Sequence, residues 1–278
     1  MRKLLNSEIR HIFKSKLFWL EILFFIGFSA FIVMSNYSPA VQSSENPIYP
    51  DDVFHILYQI MALAFAICIS MTVGTEYSDG VIRNKLIVGH TRRNIFFSTL
   101  LLHMVVSFLM MVLHGVVSYG LGYLLFGSFQ AEFSHLIYII FCSILANFVF
   151  VTLFISISMN VSNKAVTAVV TIVLYIAILY LTSFIGARLS AEEMTYDGIQ
   201  ILSDGTMQLG ELIENPNYVN GFTRTVYECI YDLIPTGQII QMQSDTFVPC
   251  IRFPVLSAVL IVLNTAAGYL QFLKKDIK

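Results

Sequence analysis

Four side chains that could carry or relay a proton recur within one long apolar run: His103, Ser107, His114 and Ser118. At about 100° per residue of an α-helix they fall within roughly 60° of one another and form one polar stripe. Inside a membrane such a stripe faces protein or a water-filled cavity rather than lipid. It could line a transport pathway, or its histidines could be hydrogen-bonded between packed helices. The second interpretation is favoured, because two histidines so far apart along one helix are too distant to share one ligand.

A carboxylate lies near the start of the first apolar run, at Glu21. At that depth it must pair with a cation, take up a proton or reach the interface. Pairing with a nearby lysine or arginine at headgroup level is favoured over a proton-coupling role. Asn147, Asn160 and Asn264 lie inside other apolar runs, where we expect them to join helices rather than to bind a substrate.

Motifs for enzyme chemistry are missing from the sequence. It has no GxxxxGK[ST] phosphate loop, so nucleotide binding is not predicted for this chain, and it has no HExxH or GxSxG sequence. No CxxC motif or cysteine–histidine cluster predicts a metal. Cys68 and Cys142 lie in apolar runs, as small core residues do. Cys229 and Cys250 share a polar segment that we expect outside the cell, where a disulfide between them could form.

The composition indicates a membrane protein. Of the 278 residues, 56% are hydrophobic and 12% are charged, whereas a soluble domain carries about 25% charged residues. Half that density cannot keep a protein surface hydrated, so lipid must be part of the solvent. The basic residues form no stripe outside short loops, which argues against a nucleic-acid partner.

Six segments are long and apolar enough to cross a bilayer, which takes about 20 residues. The sequence therefore predicts an all-α integral membrane protein with six transmembrane helices. The third segment would reach roughly 46 Å at 1.5 Å per residue, so it must tilt or begin outside the lipid. The predicted spans are 17–35, 53–74, 96–126, 136–158, 166–186 and 254–273.

Charge in the short loops predicts the orientation of the bundle. Thirteen of the 16 lysines and arginines fall on one side of this six-span arrangement, which the positive-inside rule assigns to the cytoplasm. Both termini are then cytoplasmic. Residues 1–16 interleave basic and apolar side chains at helical spacing, and we expect a retained amphipathic helix in the inner interface.

Two segments between the spans are longer than simple turns. Residues 75–95 form a cytoplasmic segment in which Gly80 and Gly89 bracket a helix-length piece. This piece has too many apolar residues for a free loop, so it should dock onto the bundle or a partner. Residues 187–253 are acidic and rich in turn signals, and we expect short helices there, against the outer leaflet.

The cytoplasmic segment carries a family resemblance. The pattern E-Y-x-x-G-x-x-R-x-x-L-x-x-G-x-x-R-R-x-I resembles the membrane subunits of bacterial ABC-2 type transporters. The ending 272–277 and the Pro-Thr-Gly-Gln stretch at 235–238 are also similar to members of that family. The pattern is carried by Glu76, Tyr77, Gly80, Arg83, Leu86, Gly89, Arg92, Arg93 and Ile95.

The resemblance implies the permease subunit of an ABC exporter whose ATPase is a separate soluble subunit. ATP and magnesium would bind to that ATPase, and this chain would bind no cofactor. A second permease copy or a paralogue would complete a dimer, embedded among membrane lipids. The cargo would be a hydrophobic or amphipathic peptide, bacteriocin, drug or lipid.

The resemblance also assigns roles within residues 75–95. Glu76 would end the second span at the ATPase groove, followed by Tyr77, Asp79, Gly80 and Leu86 of the coupling segment. Arg83 and Lys85 would be exposed contact residues, and Arg92 and Arg93 would fix the start of the next span.

Two other functions fit the residues. The chain could be a sensor or immunity protein that binds a peptide through its outer loop without moving it. It could also be a membrane enzyme that uses His103 and His114.

Overall fold

The computed structural model of the chain describes residues 2–42, 47–54, 56–201, 207–244 and 247–276. Ile277, the last residue of the family-like ending, and Lys278 lie outside these residues. In chain order the helices are α1 (Arg2–Lys14), α2 (Lys16–Ser35), α3 (Pro39–Gln42), α4 (Pro50–Val53), α5 (Ile56–Ser78), α6 (Val81–Ile87), α7 (Arg92–Phe126), α8 (Phe133–Asn160), α9 (Lys164–Leu189), α10 (Gly221–Leu233), α11 (Pro235–Gln241) and α12 (Arg252–Lys274).

Six of the described helices, α2, α5, α7, α8, α9 and α12, are long and apolar enough to cross a membrane. This confirms the predicted all-α membrane fold with six spans. Two boundaries differ from the prediction in a way that matters below. Helix α5 continues to Ser78, so Glu76 and Tyr77 belong to its last turn and not to the connecting segment. Helix α7 begins at Arg92, where the Thr91 side chain accepts a hydrogen bond from the Asn94 amide and caps the helix.

Helix α8 lies at the centre of the bundle and packs against α5, α7 and α12. Its closest neighbour is α12, since a Cβ added at Gly268 would lie 2.2 Å from the Ser156 Oγ. The Ser156 hydroxyl donates to the Asn264 carbonyl oxygen (2.8 Å), and Asn160 Nδ2 donates to the Gly268 carbonyl oxygen (3.0 Å). Asn147 Nδ2 donates across to the Tyr58 carbonyl oxygen of α5 (3.3 Å). The asparagines therefore join helices, as predicted.

The segment between α9 and α12 contains more than the predicted short helices. Helices α10 and α11 are present, and Pro235 starts α11 at a position where proline is favoured. The described part of this segment also holds four short strands: β1 (Met194–Tyr196), β2 (Ile199–Ile201), β3 (Met207–Leu209) and β4 (Leu212–Glu214). Strand β1 pairs antiparallel with β4, and β2 with β3. The sequence missed them because each has only three residues, too few for an alternating pattern.

The helices alternate in direction, and most of the basic residues lie at one end of the bundle. We call this the basic end and define it by α1, α6, residues 161–163 and the last turn of α12. The opposite end carries α3, α4, α10, α11 and the strands.

Candidate functional site

The candidate site is the short helix α6 at the basic end, together with the helices that hold it. Gly80 (φ 68°) and Gly89 (φ 96°) flank α6, and both adopt the left-handed backbone conformation that glycine tolerates best. The chain can therefore turn sharply out of α5 and again towards α7. This confirms the predicted helical piece bracketed by two glycines.

Lys85 fastens α6 to two other helices. Its Nζ lies 2.8 Å from the Glu8 Oε1 of α1 and 2.9 Å from the Glu76 Oε2 of α5. The side chains of Lys85, Glu8 and Glu76 are only 11%, 4% and 12% exposed. The prediction that Lys85 is an exposed contact residue is therefore wrong, because its ammonium is needed between two carboxylates. We call these three residues the Lys85 clamp.

Burial and neighbouring charges affect the pKa values of Glu8 and Lys85 in different ways. Burial raises the pKa of Glu8 although the nearby Lys85 ammonium lowers it. Burial alone would lower the pKa of Lys85, but the carboxylates of Glu76 and Glu8 outweigh it and raise that pKa. The lysine is thus the charged centre of the clamp, with one cation between two acids.

Glu8 was not singled out by sequence reasoning, although a signal was present. Leu4, Glu8 and Ile12 are spaced four residues apart, so Glu8 lies on the apolar face of α1. All three are buried, at 5%, 5% and 8% exposure. A carboxylate on the buried face of an amphipathic helix needs a cation opposite it. That rule indicates a partner, but not which lysine supplies it.

The two faces of α6 differ. Ile82 is buried against the bundle, and Leu86 packs partly against the core. On the other side Arg83 is exposed, as predicted, and Ile87 and Val88 are 73% and 78% exposed. Asp79, just before Gly80, is exposed as well. We call Arg83, Ile87 and Val88 the α6 tip.

Two of the remaining predicted coupling residues, Arg92 and Tyr77, hold other helix ends. An Arg92 nitrogen donates to the carbonyl oxygens of Phe272 (2.9 Å) and Lys275, which joins the start of α7 to the end of α12. The Tyr77 hydroxyl donates to the Met159 carbonyl oxygen at the end of α8. Arg93, in contrast, is exposed.

The polar stripe of α7 is buried throughout, but its two halves have different surroundings. His114 Nδ1 lies 2.9 Å from the Ser29 Oγ and 3.0 Å from the Ser118 Oγ, and its Nε2 lies 3.1 Å from the Phe54 carbonyl oxygen. His114 and Ser118 are therefore hydrogen-bonded between packed helices, as the favoured interpretation predicted. His103 and Ser107 instead line a cavity of about 200 Å³. The two histidines are roughly 16 Å apart along α7, at 1.5 Å per residue.

Two further expectations need correction. Glu21 is 6% exposed, and among the described residues it forms no ion pair with a lysine, arginine or histidine. Its expected basic partner is therefore missing, and the Cys68 thiol is within hydrogen-bonding reach instead. Cys229 and Cys250 are both free thiols, so the structure does not contain a disulfide between them. Cys229 is exposed on α10, whereas the Cys250 carbonyl oxygen accepts from the Tyr138 hydroxyl of α8 (2.5 Å).

The geometry defines a class of protein. It is a multi-pass helical membrane protein in which a clamped helix presents an apolar tip beyond the bundle. Among the described residues, no group of histidine, cysteine, aspartate and glutamate side chains could hold a metal ion.

The family follows from comparison with known proteins. Residues 4–202 match the family described as ABC-2 family transporter protein, and the chain belongs to that family. The match contains most of α1, the Lys85 clamp and the whole of α6. A search among curated proteins finds no match. Members of the family are generally non-enzymatic membrane components that work with ATPase subunits.

Proposed function

We propose that this chain is the permease subunit of an ATP-driven ABC exporter in a bacterial plasma membrane. A separate soluble ATPase would bind ATP and Mg²⁺ and would dock at the basic end. Family membership supports this proposal. The charge distribution supports the orientation, because basic residues favour the cytoplasmic side. Both termini are then cytoplasmic.

The exposed α6 tip is the observation that carries the proposal. Apolar side chains exposed on a transmembrane helix face lipid, but α6 is a connector at the basic end. Ile87 and Val88 are there more than 70% exposed beside the exposed Arg83. Such an apolar patch with a charged neighbour is typical of a protein–protein contact. The Lys85 clamp holds the patch in place, so docking would cost little ordering entropy.

The contacts at the basic end give a route for motion. A displacement of α6 would be transmitted to α1 and α5 through the ion pairs of the Lys85 clamp. Helix α5 is tied to α8 through Tyr77, and α7 is tied to α12 through Arg92. Closure of two ATPases would thus move most spans of each permease, in a dimer with a second copy or a paralogue. We expect a hydrophobic or amphipathic cargo and direct contact with membrane lipids.

The docking step is tested by the double variant Ile87→Asp/Val88→Asp. Burying two such side chains stabilises a contact by about 1.5–3 kcal/mol each, so binding to the ATPase should weaken at least 100-fold. The measurement is co-purification with, and titration of, the soluble ATPase that the proposal requires, with both partners in detergent. Val248→Asp is the matched control, since Val248 is 75% exposed at the opposite end of the bundle.

Unchanged ATPase binding by the double variant would refute the docking assignment. Cargo efflux measured with an ATPase unable to hydrolyse ATP tests the exporter function itself. Loss of efflux is expected, whereas a peptide sensor would keep its output.

A further inference from the structure

The 200 Å³ cavity opens near the basic end of the bundle. Asp79 of its lining is exposed, and Phe18, Phe65 and Val106 provide apolar walls. Its polar lining includes Glu21, Cys68, Thr72, Thr75, His103 and Ser107 from α2, α5 and α7, with His11 and Ser15 beside them. Two further charged residues of the lining already have partners: Glu76 is paired with Lys85, and the Lys164 Nζ donates to the Thr75 Oγ1 (2.9 Å). The volume equals that of roughly seven water molecules at about 30 Å³ each, which suits a small ligand.

His103 presents a hydrogen-bond acceptor to this cavity. Its Nδ1 lies 2.9 Å from the Thr99 carbonyl oxygen, and because a carbonyl only accepts, Nδ1 must carry the proton. In the neutral ring Nε2 then has a free lone pair. The residue is 5% exposed, and Nε2 has no hydrogen-bond partner among the described residues. A buried polar atom of this kind requires a ligand or water partner.

Two hydroxyl groups of the lining, those of Ser107 and Thr72, can also accept a hydrogen bond from a ligand. Ser107 donates its proton to the His103 carbonyl oxygen (2.7 Å), and Thr72 donates to the Cys68 carbonyl oxygen (2.8 Å). Thr75 donates to the Met71 carbonyl oxygen (2.7 Å). These three protons are used within the helices, so Ser107 and Thr72 offer only oxygen lone pairs to a ligand, while the Thr75 oxygen already accepts from the Lys164 Nζ (2.9 Å).

Glu21 is the buried acid of the lining. Its carboxyl is buried in the same cavity and has no basic partner in the described part of the chain. A carboxylate removed from water is costly unless a cation or several donors meet it. Glu76 of the lining is paired with Lys85 and Asp79 is exposed, so the cavity combines one buried acid without a cation with at least two neutral acceptors.

We propose that this cavity binds a protonated primary amine on a short apolar body. An ammonium group carries three N–H donors and a positive charge, which match the Glu21 carboxylate, the His103 Nε2 and the Ser107 oxygen. A bare metal ion fits less well, because the described acidic, histidine and cysteine side chains form no metal-binding cluster. Phe18, Phe65 and Val106 would contact the apolar body of the ligand.

The site belongs to one subunit and needs no ATPase. Its occupancy can therefore be measured on the isolated full-length chain, separately from docking at the α6 tip. If the amine proposal fails, the exporter proposal still stands, and the reverse is also true.

The experiment titrates n-hexylamine at pH 7 into the full chain in lipid nanodiscs, followed by calorimetry, with empty nanodiscs as the blank. We expect saturable binding of n-hexylamine and binding at least tenfold weaker for n-hexanol, which lacks the charge. Glu21→Gln keeps the shape of the side chain and removes its charge, so binding should weaken by about 10-fold to 100-fold. Glu132→Gln is the matched control, an exposed carboxylate at the opposite end.

A second readout guards against variants that fold poorly. Cys68 lines the cavity, so bound n-hexylamine should slow its alkylation by a small maleimide in the unmutated chain. Cys229 is exposed on α10 and should react at an unchanged rate. Equal binding of n-hexylamine and n-hexanol, equal binding by Glu21→Gln and the control, or no protection of Cys68 would each overturn the proposal.

Discussion

Removing the ammonium of Lys85 is the sharpest test of how α6 is held. Lys85→Met keeps the length of the side chain but leaves the carboxylates of Glu8 and Glu76 together without a cation. The pairs are 2.8 Å and 2.9 Å long, and all three side chains are at most 12% exposed. Because these side chains are buried, water screens little of the electrostatic interaction between them.

The expected magnitude follows from that burial. Breaking a buried ion pair by removing one partner costs about 3–5 kcal/mol, since a charge is left without compensation. A loss of 3 kcal/mol lowers an equilibrium constant roughly 100-fold. We therefore expect α1 to detach locally from the bundle, with the spans still inserted.

Amide hydrogen exchange on the purified protein measures this directly. In Lys85→Met, the protection of the amides of α1 and α6 should fall roughly 100-fold, while that of the centre of α8 stays constant. Adding Glu8→Gln to the variant should restore part of the protection, because one unpaired carboxylate is then neutral. Arg224→Met is the control, since the Arg224–Glu228 pair is 39% and 51% exposed and contributes under about 1 kcal/mol.

The clamp also predicts a pH dependence. The pKa of Lys85 is raised in the folded protein, so its stabilising effect is complete below the ordinary lysine pKa of 10.5 and is lost only above it. The attachment of α1, followed by limited proteolysis, should be constant from pH 8 to pH 10. Unchanged α1 protection in Lys85→Met, or release of α1 within that pH range, would refute the reasoning.

Two further predictions concern contacts inside the helix bundle. Gly268→Ala should lower the free energy of unfolding by about 1–3 kcal/mol, because the new Cβ would lie 2.2 Å from the Ser156 Oγ. Gly120→Ala should be neutral or stabilising in the same unfolding assay, because no other helix of the described residues comes within 4 Å of the added Cβ. His114→Leu should lower the free energy of unfolding by about 2 kcal/mol, because buried partners of the ring lose their hydrogen bonds. An unchanged melting temperature would contradict the structural role of His114.

The location of the coupling helix was accessible from the sequence because it depends on local rules. Gly80 and Gly89 permit a backbone conformation that other residues avoid, and the residues between them favour a helix. The orientation of the helix was not accessible, and Lys85 shows why. A lysine on a short amphipathic helix can face water or protein, and the choice depends on carboxylates 77 and 9 residues away in the chain.

The candidate ligand site shows the same division. The sequence placed His103, Ser107, His114 and Ser118 on one face of a helix, since that needs only the helical period. It could not show that both ring nitrogens of His114 are hydrogen-bonded whereas the Nε2 of His103 has no partner among the described residues, because the partners of His114 come from α2 and from residues before α5.

The sequence by itself indicated that much of the protein surface faces lipid, how many helices span the membrane and which family the chain belongs to. These properties depend on composition, on runs of apolar residues and on a local motif. Only the tertiary structure decided which charges are paired and which polar atoms face a cavity. Those contacts join helices far apart in the chain, and their energies arise when packing removes water from both partners.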